Sequence, residues 1–137
     1  MGPVHQDDLS IGDDAKILRR LNSDWIHEGK PEGSAFKQDP TPEAIGTSVT
    51  LWETDQDRVN VLRGWENLGL IVVTMGECRA IGLGIVRTPL PDNPNHCELF
   101  GPQARNGRRR LSKGARWVKY PDEYPPDLCG PLEGLGD

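Results

Sequence analysis

The apolar residues of this chain are few and unevenly placed, and that placement limits the fold more than any motif does. Hydrophobic side chains make up 35% of 137 residues, and they gather between Ile45 and Phe100. The core must be built mainly from that stretch, with four tryptophans available to fill volume. Sixteen glycines and 12 prolines make turns frequent and elements short. A chain of this length forms one domain and buries roughly two-thirds of its unfolded surface, enough for a core without metal or disulfide. The reading is an ordered centre with polar ends.

The pattern predicts a small single α+β domain over residues 11–119, with a short mixed sheet and two to four short helices. Residues 1–10 read as a flexible lead, and 120–137 as an extended, acidic, Pro/Gly-rich tail that cannot bury a core of its own. Ser10 with Asp13 has the form of a capping box, and Ile17, Leu18 and Leu21 follow at helical spacing, so a helix is expected over 12–22. Residues 29–42 read as an irregular loop anchored by Phe36. The run TSVTLW, Thr47 to Trp52, alternates and is β-branched, hence a strand. Thr54 with Asp57 opens a helix whose face of Val61, Leu62, Trp65 and Leu68 runs to a Gly69 cap. Leu70–Thr74 reads as a buried strand. Thr74 with Glu77 caps a short helix that stops at Gly82 and Gly84. Leu83–Arg87 and His96–Phe100 are expected strands around the turn PLPDNPNH, and Trp117 with Val118 returns to the sheet.

Charge is segregated. Residues 103–119 carry Arg105, Arg108, Arg109, Arg110, Lys113, Arg116 and Lys119 without one carboxylate, while the rest of the chain has nine basic against 21 acidic side chains. Such a run on a weakly amphipathic helix suits an anion. The anion is either a nucleic acid, whose phosphates Lys and Arg neutralise, or an acidic protein surface, the chain's own Asp122, Glu123 and Asp127 included. Trp117 and Tyr120 at its end are candidates to stack on bases. The net charge of −5 counts against strong non-specific nucleic-acid affinity. Trp25, Tyr120 and Tyr124 are the candidate contact surface, whereas Trp52, Trp65 and Trp117 are expected in the core.

Other chemistry is sparse. His96, Cys97 and Cys78 with Glu98 or Asp92 are competent zinc ligands, but His and Cys adjacent in a strand point to opposite faces, and no CxxC or HxxxH spacing occurs. Gly82-Leu83-Gly84 ends a helix instead of opening one and has no Walker lysine, so it is no phosphate loop. Neither a metal nor a cofactor is expected. The N-terminal MGPVHQDDLS has no basic region followed by an apolar run, and the longest apolar stretch, Leu70–Val73, is far short of a span. Three cysteines without pair spacing fit a reducing compartment. A cytoplasmic location and no membrane contact are expected.

Leu18-Arg19-Arg20, Trp25, Ser34-Ala35-Phe36, Ser48-Val49 and Asp92-Asn93-Pro94-Asn95-His96 stand in an order that resembles a group of short bacterial proteins with no assigned activity, over residues 12–118. The order of Arg19, Ser48 and His96 also resembles compact ADP-ribosyl-transfer folds, which implies those three as an alternative site. Three functions are therefore expected, in this order. The first is a non-catalytic accessory module of a bacterial multi-protein system, docking a protein partner through the basic stripe and the tail. The second is a nucleic-acid binder through residues 105–119. The third is a small nucleotide- or RNA-directed transferase, with arginines on phosphate and His96 as acid or base.

Overall fold

A computed structural model describes residues 6–36, 46–102 and 104–122. Six strands form one sheet: β1 (Lys16–Leu21), β4 (Thr47–Leu51), β5 (Gly69–Thr74), β6 (Gly84–Arg87), β7 (His96–Phe100) and β8 (Arg116–Lys119). Their order is β6-β7-β4-β1-β5-β8, and each pairing is antiparallel. β2 (Ile26–His27) and β3 (Lys30–Pro31) make a separate hairpin. Three helices, α1 (Asp55–Leu62), α2 (Met75–Ala80) and α3 (Arg105–Gly114), complete the α+β fold, with 3-10 turns at 23–25 and 33–36. The sheet expected as short and mixed is thus six strands wide with antiparallel pairings.

Both faces of the sheet are covered. One face carries Ile17, Leu21, Val49, Leu51, Ile71, Ile85 and Leu99, closed over by Phe36, Cys78 of α2 and Leu111 of α3. The other carries Leu18, Leu70, Val72 and Val118, closed over by Val61 and Leu62 of α1 together with Trp52. The helix expected over 12–22 is therefore a mistake: the segment is the central strand β1. A strand apolar on both faces loses its period of two, so Ile17, Leu18 and Leu21 imitate a helical stripe.

Three further expectations change. The helix opened by Thr54 is capped as foreseen, the Asp57 carboxylate accepting from the Glu53 and Thr54 amides at 2.8 and 2.9 Å. It nevertheless stops at Leu62, because Gly64 turns the chain at φ +81°. Gly69 consequently starts β5 instead of ending the helix. Trp65, beyond the end of α1, lies 51% exposed and not in the core, while Trp52 and Trp117 are buried as expected. Within the loop expected at 29–42, β3 and the turn ending at Phe36 are ordered elements, with Phe36 buried.

The ends are partly tied down. Asp7, in the stretch read as a lead, receives Arg79 Nε–H at 2.8 Å and the Ile85 amide at 3.0 Å. Arg79 Nη1 also donates to Asp13 at 2.7 Å. Tyr124, Glu123, Asp127 and the rest of the expected tail from 123 onward lie outside the described residues. Among the described residues, no helix is long and apolar enough to cross a membrane.

Candidate functional site

β1 and β4 pair only at Ile17↔Leu51 and Leu18↔Thr50. Beyond that point β1 stays with β5 as far as Leu21↔Gly69, and β4 stays with β7 from Thr50↔His96 back to Thr47↔Leu99. The sheet therefore splits between Arg19–Leu21 and Thr47–Val49. A split strand pair leaves backbone carbonyls without ladder partners, and such groups must be satisfied otherwise. Arg19, 7% exposed, does this: its Nη1 donates to the Ser48 carbonyl and its Nε to the Ala35 carbonyl, both at 2.8 Å. Its guanidinium also lies 5.3 Å from the Trp25 ring centre, and Trp25 is half-buried.

A cavity of about 280 Å³ opens beside the split. Arg19, Ser48 and His96 all line it, so the fold brings together three residues that lie 29 and 48 positions apart in the chain. Arg20, Arg63 and Trp65 also line it, and among the described lining residues Asp92 is the one carboxylate. The Arg20 guanidinium sits 4.9 Å from the Trp65 ring centre, and Nη1 donates to the Val61 carbonyl at 3.0 Å. This stacks the Arg20 guanidinium over one face of the half-exposed indole at the rim.

His96 is anchored through one ring nitrogen. Its Nδ1 lies 2.9 Å from the Thr88 carbonyl oxygen and 2.9 Å from the Thr88 hydroxyl. A carbonyl only accepts, so the contact with it favours a proton on Nδ1, the tautomer in which Nε2 of the neutral ring keeps its lone pair. The Asn-Pro-Asn turn before it is fastened to β4: Asn93 Nδ2 donates to Thr50 Oγ1 at 3.0 Å, and the Leu51 amide donates to the Asn95 carbonyl at 3.0 Å. Asn93 Oδ1 is buried and has no hydrogen-bond partner among the described residues.

The sequence reasoning missed Glu98 as part of this neighbourhood. Glu98 is buried, pairs in register with Ser48, and accepts from the Gly46 amide at 3.3 Å. Gly46 approaches β7 so closely that a Cβ there would run into the Leu99 carbonyl. A lone glutamate inside an apolar strand, CELF, was the available signal, since buried carboxylates are rare without partners. Arg20, Arg63 and Trp65 had no such signal, because only the strand split and the early end of α1 bring them to one place.

The basic stripe is on the opposite side of the sheet. Helix α3 packs Leu111 into the core with Phe36 and presents Arg105, Arg109, Arg110 and Lys113 outward. Arg116 pairs with Glu77 at 3.8 Å and Lys119 with Asp122 at 3.2 Å, so these two belong to the domain's own ion pairs. Trp117 is buried, with Nε1 donating to the Gly29 carbonyl at 3.0 Å, and half-buried Tyr120 meets its ring edge-on at 5.7 Å. The expected stacking role for Trp117 therefore falls away.

The two described cysteines, Cys78 and Cys97, are inert by position. Burial pushes the Cys78 thiol up to about 12 and the Cys97 thiol up to about 11. Both side chains belong to the core on the α2 and α3 face, whereas His96, adjacent to Cys97 in β7, points to the other. Among the described residues no three His, Cys, Asp or Glu side chains gather to hold a metal ion. No family model, no curated protein and no solved structure matches the chain.

Proposed function

We propose that the cleft beside the β1–β4 split binds a phosphorylated nucleotide and that the protein is a small nucleotide-directed transferase. The observation that carries this reading is the convergence of Arg19, Ser48 and His96 on one cavity. The ADP-ribosyl group is the moiety that the order of those three residues implies, and an ADP-ribose unit suits the wall. Its diphosphate would meet Arg20 and Arg63, since guanidinium forks match phosphate oxygens. Its base would stack on Trp65. Arg19, held by two backbone carbonyls, fixes the strand split and adds positive potential to the floor. His96 Nε2 is the lone pair that takes the proton of the attacking group. With NAD as donor, transfer then breaks the C–N bond between ribose and nicotinamide, the electron pair leaving with the nicotinamide, as the acceptor oxygen closes on the same ribose carbon.

The reading of an accessory docking module rests on small size, the absence of catalytic motifs, charge segregation and a tail that lies outside the described residues beyond 122. The test is NAD turnover with water as acceptor, followed as released nicotinamide. The parent protein is expected to consume NAD, and His96→Ala to slow it by about 10²-fold or more, the usual worth of a positioned base. A parent protein that leaves NAD intact, or a His96→Ala variant with unchanged turnover, contradicts the proposal.

A further inference from the structure

Along α3 the residues Arg105, Arg108, Arg109, Ser112 and Lys113 stand at the i, i+3, i+4, i+7, i+8 positions of one helical stripe. They form one wall of an open groove of about 670 Å³, whose other wall is the β2–β3 hairpin with His27 and Lys30. Among the described residues, Glu28 and Glu32 are the carboxylates lining it. Five cations elsewhere in the domain have an acidic partner: Arg58, Arg79, Arg87, Arg116 and Lys119 each lie within 4.0 Å of a carboxylate. Among the described residues no carboxylate lies within that distance of Arg105, Arg108, Arg109, Arg110 or Lys113. Among the described residues, then, five neighbouring cations on one helix form a local positive surplus.

We infer that this face of α3 binds the phosphate backbone of duplex nucleic acid. Charge complementarity supplies the first argument, since each contacted phosphate releases counterions and needs no fitted pocket. The second is geometry: Arg105, Arg109 and Lys113 succeed one another at about 6 Å along the helix axis, a ladder of donors suited to a repeating anion. The third is what the face lacks. Trp117 is turned into the core, so no indole on α3's flank offers a platform for unpaired bases, and a paired backbone is the better fit. This surface and the nucleotide cleft lie on opposite faces of the sheet, so the inference stands apart from the function proposed above.

The test is anisotropy of a fluorescein-labelled 20-base-pair DNA duplex at about 50 and 200 mM salt, a range over which phosphate contacts reveal themselves. Three contacts give a log–log slope near −2.7, so affinity should fall about 40-fold between those salts. The variant Arg105→Ala/Arg109→Ala/Lys113→Ala changes only exposed side chains, and circular dichroism melting checks that its fold is kept. It should lose most of the binding and nearly all of the salt dependence. No duplex binding at 50 mM salt, binding insensitive to salt, or an unchanged affinity in the folded triple variant would each overturn the inference. So would capture of a poly-glutamate peptide by a protein that ignores the duplex, because that outcome assigns the stripe to an acidic protein partner.

Discussion

Arg19 donates Nη1–H to the Ser48 carbonyl at 2.8 Å across the gap where β1 and β4 separate. One buried guanidinium thus substitutes for the ladder bonds that the split removes, and the same split opens the cleft. Fold and candidate site depend on a single side chain.

Replacement of Arg19 should therefore cost stability as well as function. Lys in its place is a point charge on a flexible stem and cannot serve the Ala35 and Ser48 carbonyls together. Leaving one buried acceptor unsatisfied costs about 1–3 kcal/mol. Arg19→Lys should lower the melting temperature by several degrees in calorimetry, and an unchanged melting curve would show that the carbonyls find other donors.

How much of this was legible in the sequence depended on local signals. The Thr74–Glu77 capping box was readable and is formed, the Thr74 amide donating to Glu77 Oε1 at 2.9 Å. The strands from Thr47 and His96 were readable from alternation and turn chemistry. The strand identity of Lys16–Leu21 was not, because burial on both faces erases its periodicity. The site was legible only as residue types in an order. Arg19, Ser48 and His96 become neighbours through the β7-β4-β1 adjacency, and pairing between distant strands leaves no mark in a local window. Trp65 was misplaced for a related reason: its spacing from Leu62 fits a helix that Gly64 ends early.

Acid should loosen the N-terminal clasp. The Arg79 guanidinium hydrogen-bonded to Asp7 holds that carboxyl below its ordinary value of 3.8, with the Ile85 amide acting in the same direction. A depressed folded value means that the clasp stabilises fully above pH 3.8 and is lost as pH falls through the lower folded value. Asp7→Asn should cost about 1 kcal/mol in urea denaturation at neutral pH. The gap between variant and parent should close on acidification below pH 3.8, and a gap that persists there would exclude the ion pair as its cause.

The buried thiols should resist chemistry in the folded protein. With the Cys78 and Cys97 thiols raised to about 12 and about 11, almost no thiolate exists at pH 8. Iodoacetamide followed by peptide mapping should leave both unmodified until denaturant is added. Alkylation of Cys78 under native conditions would mean that the core on the α2 side opens readily.

The most direct test of the central claim is calorimetric titration of ADP-ribose into the parent protein and into Arg63→Ala and Trp65→Ala. Both side chains are exposed, so their loss should spare the fold. A charge-assisted phosphate contact and a stacked base are each worth about 1–3 kcal/mol, so each variant should bind at least about fivefold more weakly. Saturable binding weakened in both variants is the predicted result. No binding at about 1 mM ligand, where even an affinity near −4 kcal/mol would register, contradicts the account, as does equal affinity in all three proteins.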